Sequence, residues 1–522
     1  MIIELEIKSL PQLAYDGTYI RNQLIKQLAV SPDDIKGYRP IRYSIDARKN
    51  PVYIIQRIKV AIGEELPEDR LTPLLYKPVK DARHRVAVVG FGPAGMFAAL
   101  RLIELGIKPI VLERGFDVRT RRRDLKAVNR DHIVHPDSNY CFGEGGAGTY
   151  SDGKLYTRST KRGDVSRIYD LLVHHGANPF IRVDAHPHIG TNKLPGVVQN
   201  IRERILEHGG EIYFGTRVVD FQISGDHVQG VLTQNYGLIE AEAVILATGH
   251  SARDIFELLY KRNIDIQLKP FALGVRVEHP QWLIDHIQYH GMERGEYLPA
   301  ASYKLVHQAM GRGVYSFCMC PGGFIVPAST AQGEIVVNGM SPSKRDGKYA
   351  NSGIVVEIRP EDVSDFKHHG PLAALRFQQS VERNVCKAGG NTQTAPAQRL
   401  VDFLNGKIST SLPSCSYIPG ITSVSMDNVL PEFVTKRLKE GFKAFGKKMN
   451  GYLHEDALII ATESRTSSPV KIPRHSDTLM HPKIGGLFPS GEGAGYAGGI
   501  VSAALDGERV AEKVYEYLHS RY

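Results

Sequence analysis

The chain has 522 residues, of which 42% are hydrophobic and 23% are charged. This balance excludes a mostly disordered chain and is typical of a globular protein with a sizeable core. Lys and Arg outnumber Asp and Glu by 65 to 56, and this modest net charge of +9 argues against a nucleic-acid partner.

The five cysteines are an odd number in a long chain, so they do not indicate a disulfide framework. The first residues alternate as in a strand and show neither the basic nor the apolar region of a signal peptide. No segment approaches the ~20 consecutive apolar residues that span a bilayer. We therefore expect a cytoplasmic protein without a membrane partner.

Residues 1–80 are predicted to form a small α+β domain. Residues 2–7 alternate as a strand, residues 19–28 carry apolar side chains at helical spacing, and residues 40–46 and 52–60 are strand-like. The order of these elements is β-α-β-β.

The next segment begins with a βαβ unit that contains a glycine fingerprint. An apolar run at residues 86–89 is typical of a central parallel strand, and a helix and a second strand follow. Between the first strand and the helix the sequence is G-x-G-x-x-G, the context in which this motif predicts a dinucleotide site. The predicted cofactor-binding residues of this turn are Gly90, Gly92, Pro93, Ala94 and Gly95.

Glu113 follows the second strand directly, where an acidic side chain can accept hydrogen bonds from ribose hydroxyls. An acid at this position argues against a 2′-phosphate on the nucleotide. Arg114 is predicted to touch the phosphates or the adenine of the cofactor. The arginines at 121–123 are instead expected to lie on a solvated helix face.

Two later segments bear on which dinucleotide binds. Residues 244–249 are an apolar strand that ends with Ala-Thr-Gly, at Thr248 and Gly249, and Gly491 and Glu492 precede a long helix. Together with the fingerprint, these segments resemble the large two-domain flavoproteins of the glutathione-reductase superfamily. That resemblance implies non-covalently bound FAD, with its ADP half at the glycine turn and its ribityl chain near Glu492, where the superfamily usually has Asp.

The last helix follows a second glycine-rich turn. Its N-terminus, at Gly498, Gly499 and Ile500, is expected to face the flavin edge on which negative charge develops during reduction. This turn lacks a following strand with a terminal acid, so we do not interpret it as a second dinucleotide site.

Residues 143–155, residues 463–470 and the segment around Cys318 resemble a narrower bacterial family of large FAD-dependent dehydrogenases. This resemblance runs nearly end to end and indicates fold and cofactor more firmly than substrate. The loop residues predicted to contact the flavin ring or the pyrophosphate are Gly145, Gly146, Ala147 and Gly148.

Three residues are candidates for catalysis. Lys154 could neutralise reduced flavin, although an exposed lysine is the commoner outcome. Glu463 and Arg465 could anchor a substrate anion or donate to a transition state, and an internal salt bridge is an equal alternative.

Cys318 and Cys320 form a Cys-x-Cys motif, which could be a dithiol that exchanges electrons with flavin or half of a metal site. A zinc site needs a second ligand pair, and none is found, so no metal is expected. On a strand the two cysteines would share a face, and we expect ordinary buried thiols.

The sequence thus predicts an α/β protein with a Rossmann-like FAD-binding domain at 81–265 and 475–522. An inserted mixed α+β substrate domain is predicted at 266–474, after the N-terminal domain at 1–80. The expected function is an FAD-dependent oxidoreductase that transfers hydride through flavin N5 to or from a small-molecule substrate. NAD(P)H is a possible transient donor. The alternatives are a tRNA-binding flavoprotein and a protein that holds FAD structurally.

Overall fold

The computed structural model describes residues 1–157 and 163–520. The first part of the chain is an antiparallel sheet with one helix, as the sequence predicts. Ile20 and Leu24 of the helix are buried against Ile58 and Val60 of the sheet, so this part has its own apolar core. The elements are β1 (Ile2–Ser9), α1 (Gly17–Leu28), β2 (Ile35–Asp46) and β3 (Tyr53–Ile62), with strand order β1-β3-β2.

The second part contains a parallel sheet, in which β10 lies beside β4, β4 beside β5, and β5 beside β6. A separate antiparallel ribbon is formed by β7, β8 and β9. The elements in chain order are β4 (Arg85–Val89), α2 (Pro93–Leu105), β5 (Lys108–Leu112), α3 (Val118–Arg130), α4 (Val165–His174), α5 (Leu194–Glu207), β6 (Glu211–Tyr213), β7 (Val218–Ser224), β8 (His227–Thr233), β9 (Gly237–Glu240), β10 (Ala243–Leu246) and α6 (Arg253–Lys261).

Strand β4 lies between two apolar cores, which explains its uninterrupted run of apolar residues. Val86 and Val88 pack with helices α2 and α5, whereas Ala87 and Val89 pack on the opposite face with β7, β8 and α6. Alternate side chains of a strand point to opposite faces, so a strand covered on both sides must be apolar throughout.

The third part is built on a large, mainly antiparallel sheet with strand order β13-β14-β16-β12-β19-β17-β18, and β15 pairs with β14. Strand β12 is central and buried along nearly its whole length. The elements are β11 (Gln267–Leu268), β12 (Phe271–Pro280), α7 (Gln281–Gln288), β13 (Val306–Ala309), β14 (Arg312–Pro327), β15 (Val337–Met340), β16 (Tyr349–Ile358), α8 (Ala373–Ala388), β17 (Ala395–Arg399), α9 (Leu400–Leu404), β18 (Ile421–Ser423), α10 (Glu432–Lys448) and β19 (Leu458–Glu463).

The chain then returns to the parallel sheet with β20 (Val470–Lys471), β21 (Leu487–Pro489) and α11 (Ile500–Ser520). Strand β20 pairs with β11, and β21 joins the parallel sheet beside β10. Helix α11 packs closely on α2. A Cβ atom at Gly507 would lie only 2.1 Å from the Ala94 carbonyl oxygen, so glycine is needed at this contact. The early glycine turn and the late helix therefore belong to one unit.

The chain is thus a mixed α/β protein with a parallel sheet, while the domain boundaries remain predictions. One detail of the sequence interpretation is corrected: β10 ends at Leu246, so Thr248 and Gly249 lie in the turn beyond the strand. Within the described residues, no helix has both the length and the apolarity needed to cross a membrane.

Candidate functional site

The predicted fingerprint forms the turn between β4 and α2. Gly90 has φ +100°, and a Cβ atom there would lie 2.5 Å from the Ala247 carbonyl oxygen, so only glycine fits. Gly92 caps α2 without any side-chain hydrogen bond, and Pro93 occupies the first turn. The first backbone N–H groups of α2 therefore remain available to an anion.

The Glu113 carboxylate ties this turn to a second glycine-rich loop. Its Oε2 accepts from the Phe91 N–H (2.8 Å), and its Oε1 accepts from the N–H groups of Gly115 and Gly143 (2.9 Å each). A carboxylate has about four acceptor positions, so one remains for a ribose hydroxyl. Glu113 is 4% exposed, and it lines the cavity described below.

The loop at residues 143–148 lies between the starts of α2 and α11. The Gly145 N–H donates to the Phe91 carbonyl (2.8 Å), and a Cβ atom at Gly146 would lie 3.1 Å from the Gly92 Cα. A Cβ atom at Gly148 would meet the Ile500 Cγ1 at 3.3 Å. Larger residues would push the loop away from both helix termini.

Arg121 holds this loop, and here the expectation of a solvated helix face is wrong. The Arg121 side chain is fully buried, and its guanidinium donates to three backbone carbonyls, those of Asn139 (2.8 Å), Tyr140 (3.0 Å) and Glu144 (2.9 Å). Arg122 and Arg123, in contrast, are exposed as expected. The planar guanidinium can donate to several carbonyls at once, and these hydrogen bonds offset the desolvation cost of burying its charge.

The glycine-rich turn before α11 meets the turn after β10. A Cβ atom at Gly493 would lie 2.4 Å from the Gly249 carbonyl oxygen, so the two turns are in contact. Burial raises the pKa of Glu492 to about 7, although the Gly499 N–H donates to it and opposes the shift. This carboxyl is therefore poised to change its charge near neutral pH.

A cavity of about 370 Å³ runs along these elements. It is lined by most of the predicted cofactor residues, namely Gly90, Gly92, Pro93, Ala94, Glu113, Arg114, Gly146, Ala147, Gly148, Thr248, Gly249, Glu492, Gly498, Gly499 and Ile500. Gly95, Gly145 and Gly491 lie behind the lining, where Cβ atoms would approach the Gly90 oxygen (2.0 Å), the Thr149 Oγ1 (1.8 Å) and the Ala94 Cβ (2.8 Å). These three glycines permit close packing.

Arg114 lines the cavity, but its charge is already balanced. The guanidinium forms ion pairs with Asp137 (2.6 Å) and Asp254 (2.8 Å), and it lies over the Phe142 ring at 4.2 Å. The predicted contact of Arg114 with the cofactor thus concerns a guanidinium that already has two carboxylate partners.

Lys154 also lines the cavity and is partly buried, with 38% of its side chain exposed. Its Nζ donates to the Met319 carbonyl oxygen and lies 3.1 Å from Asp152 Oδ2. Burial lowers the pKa of Lys154, but Cys318, Cys320 and Asp152 outweigh burial and raise it overall. The ammonium is fixed at the cavity wall, in contrast to the freely exposed lysine that is the commoner outcome.

Glu463 and Arg465 do not contact each other, because each has its own internal partner. Glu463 pairs with Arg276, with 2.5 Å between Oε2 and Nη1. Arg465 lines the cavity and pairs with Glu382 (3.1 Å) and Glu334 (3.6 Å). The structure therefore contains the internal salt bridges that the sequence left as the alternative.

The Cys-x-Cys segment departs from the expected strand geometry. Phe317 pairs with Gly353 and Cys320 with Asn351, so two residues on β14 oppose one on β16. This is a β-bulge, and Cys318 adopts φ +45° within it. Cys320 is buried, but Cys318 lines the cavity, so the expectation of two ordinary buried thiols is wrong for Cys318.

The sequence analysis also missed His250, which follows the Ala-Thr-Gly turn directly and lines the cavity. Burial and the nearby Arg465 charge lower the pKa of His250 to about 4, so its imidazole is neutral at neutral pH. His250 could have been predicted from the sequence, because it directly follows Gly249, which was a predicted cofactor residue. Phe317 and Asn338 complete the same wall, and no sequence motif marked them.

Comparison with known proteins identifies two matched regions. Residues 270–466 match the family "FAD-dependent protein, C-terminal domain-like", and residues 1–61 match a domain of unknown function. The first match agrees with the predicted cofactor.

Over nearly its whole length the chain is similar to an uncharacterized protein of Clostridium beijerinckii. The two are 41% identical over 519 residues, which cover 96% of each chain. The chain therefore belongs to the same protein family as this Clostridium protein. It is also 25% identical over 195 residues to the thiamine thiazole synthase of Methanococcus vannielii, covering 35% of this chain and 62% of that protein.

Among solved structures, a flavoprotein/dehydrogenase from Cytophaga hutchinsonii matches with 10% identity and a TM-score of 0.38. The match covers 84% of this chain and 79% of that chain. This score is too low to define a shared fold in detail.

Proposed function

We propose that this protein is an FAD-dependent oxidoreductase that binds FAD non-covalently in the cavity and acts on a small-molecule substrate. One observation carries the proposal: a single cavity joins the glycine turn before α2, the Glu113 carboxylate and the start of α11. These are the groups that an extended dinucleotide needs for its phosphates, its ribose and its far end.

The residues present fit such a cofactor. A Cβ atom at Gly92 would have its nearest neighbour at 3.8 Å, and one at Gly498 would have none within 4 Å, so both glycines leave room in the cavity. The N–H groups of α2 would hold the pyrophosphate, and Glu113 would accept from the adenosine ribose. Glu492 and the start of α11 would lie toward the flavin, consistent with the resemblance to the glutathione-reductase superfamily.

Bound flavin supplies hydride transfer, which no protein side chain provides. The side chains of the protein would orient the flavin and supply charge around it. The Lys154 ammonium, fixed by Asp152 and the Met319 carbonyl, lines the cavity and is suited to balance negative charge there. Arg465 is less suited to bind a substrate anion, since Glu382 and Glu334 already neutralise its positive charge.

The proposal is tested first by the cofactor content of the purified protein. We expect flavin absorbance, and FAD released on denaturation. In Gly92→Val and Gly498→Val the new side chain would enter the cavity, so FAD retention should be lost. Gly196→Val is the matched control, because Gly196 lies on α5, away from the cavity, and a Cβ atom there would have no neighbour within 4 Å.

Anaerobic addition of NADH or NADPH then tests the electron donor. Bleaching of the flavin absorbance would support a transient nicotinamide donor, whereas no bleaching with either would leave the substrate itself as the reductant. Protein that carries no FAD and takes up none when FAD is added would overturn the proposal.

A further inference from the structure

A compact cluster of two thiols and two cations reaches the cavity lining through Lys154 and Cys318. Lys154 Nζ lies 4.0 Å from the Cys318 Sγ and 3.9 Å from the Cys320 Sγ. On the other side, Arg276 Nη2 lies 3.5 Å from the Cys320 Sγ and donates to the Cys318 carbonyl oxygen at 2.6 Å. The Cys320 thiol itself donates to the Cys318 carbonyl oxygen at 3.2 Å.

The β-bulge gives the two thiols different surroundings. In a regular strand, residues 318 and 320 would point to the same face, but the extra residue breaks this alternation. As a result Cys318 lines the cavity, while Cys320 is completely buried behind it. The Cys318 sulfur can therefore meet a molecule in the cavity, while the Cys320 sulfur lies behind it, and both sulfurs contact the same Lys154 ammonium.

The charges around the pair favour a thiolate at Cys318. Interaction with the Cys320 side chain lowers the pKa of Cys318 most, and the Lys154 and Arg276 charges lower it further, against burial and the Asp152 carboxylate. The same interaction, together with burial, raises the pKa of Cys320. Glu463 and Glu492 are the other acids whose charge acts on Cys318, and burial raises the pKa of both.

We propose that Cys318 and Cys320 form a redox-active dithiol that reduces a small-molecule disulfide in the cavity. The Cys318 thiolate attacks one sulfur of the substrate, so that a mixed disulfide forms and one substrate thiolate leaves. The Cys320 sulfur then attacks Cys318, which closes the Cys318–Cys320 disulfide, and its proton passes to the departing substrate sulfur, which leaves as the second thiol. The protein pair loses two electrons and the substrate gains them. Two equivalents of an external thiol restore the dithiol by the reverse exchange and leave as a disulfide.

This inference goes beyond the proposed function, because it concerns the thiols of the chain itself and does not require FAD. The test begins with iodoacetamide, whose reaction at each cysteine is followed by mass spectrometry of peptides, on protein whose flavin content has been measured. Cys318 should react about tenfold faster at neutral pH than Cys141, since the thiolate is the reacting form. Cys141 is the matched control, because it lines the same cavity while its thiol contacts the Ala328 carbonyl (3.6 Å).

The second step uses bis(2-hydroxyethyl) disulfide, a small neutral disulfide. Wild-type protein should form the Cys318–Cys320 disulfide, and Cys320→Ser should stop at a mixed disulfide on Cys318. Cys318→Ser should form neither product, and Cys141→Ser should behave as wild type. In Lys154→Met the alkylation of Cys318 should shift to higher pH, because the nearest cation is lost.

Two results would overturn the inference: alkylation of Cys318 no faster than that of Cys141, or a wild-type protein that forms no intramolecular disulfide. Both readouts follow the cysteines themselves, and the flavin content of the same samples is measured separately. A protein with this thiol chemistry but no FAD would overturn only the proposed function, and a flavoprotein without it would overturn only the dithiol.

Discussion

Arg276 and Glu463 form an ion pair whose side chains are 0% and 1% exposed, with 2.5 Å between Nη1 and Oε2. The pair joins β12 to β19 in the centre of the large sheet, and the Arg276 Nε also donates to Asn351 Oδ1 at 2.7 Å. Removing one charge from such a pair leaves the other without compensation in a medium of low polarity.

Replacement of Arg276 by Met should therefore lower the free energy of unfolding by about 3–5 kcal/mol. The double variant Arg276→Met/Glu463→Gln should lose less than the sum of the two single variants, because it strands no charge. Urea unfolding of the three variants measures this coupling. Strictly additive losses would show that the two side chains do not depend on each other.

Arg121 should be essential for the loop at 143–148. In Arg121→Met three backbone carbonyls lose their donor, which should cost about 3 kcal/mol in unfolding free energy and weaken FAD retention. Arg121→Lys should rescue little, since an ammonium lacks the planar fork. Arg123→Met, at an exposed position of the same helix, should change stability by less than about 0.5 kcal/mol. Equal effects at 121 and 123 would contradict this role.

Glu113→Gln should weaken FAD binding. The carboxylate accepts from backbone N–H groups at both oxygens, so the amide nitrogen of Gln would face at least one donor. We expect the dissociation constant for FAD to rise about tenfold, measured by flavin fluorescence on titration of the apoprotein. Glu207→Gln, on the exposed end of α5, serves as control. Unchanged affinity in Glu113→Gln would rule out a binding role for this carboxylate.

Glu278 should make stability depend on pH. It is buried in β12, and burial raises its pKa to about 7 although Ser416 donates to it. Because the folded protein binds this proton more tightly than the unfolded chain, the resulting stability is complete below the unfolded pKa and is lost as pH rises through about 7.

Glu278→Gln should therefore gain stability relative to wild type as pH rises, by up to about 3 kcal/mol. Urea unfolding of both proteins at a series of pH values measures the difference, and comparison with wild type cancels the other buried acids. A constant difference across the series would show that Glu278 does not titrate in this window.

The parts of the site that the sequence predicts are those encoded locally. The glycine turn, α2 and Glu113 lie within one βαβ unit, where the spacing of glycines and apolar residues fixes the geometry. The late segment from Gly491 to Ile500 was found because its composition resembles a known motif. These two regions supply only part of the cavity lining, and much of the rest comes from residues 151–154 and 247–252.

The parts that were missed depend on partners distant in sequence. Arg121 stands in a run of arginines that is typical of a solvated surface, and only the fold brings the carbonyls of residues 139–144 onto it. Cys318 departs from regular strand geometry because it lies in a β-bulge, and no pattern of residues in the sequence predicted this bulge. Glu463 finds Arg276 through a pairing of β12 with β19, and such long-range pairings are not encoded in local periodicity.

The contact between Gly507 and Ala94 also constrains the order of events during biosynthesis. The turn that precedes α2 is made early, but its packing partner on α11 emerges from the ribosome only after the entire antiparallel sheet has been synthesised. A nascent chain halted before that helix would present the glycine turn with one side uncovered. We therefore expect a chain that lacks α11 to hold the proposed dinucleotide less tightly, because this helix packs against α2 directly after the turn.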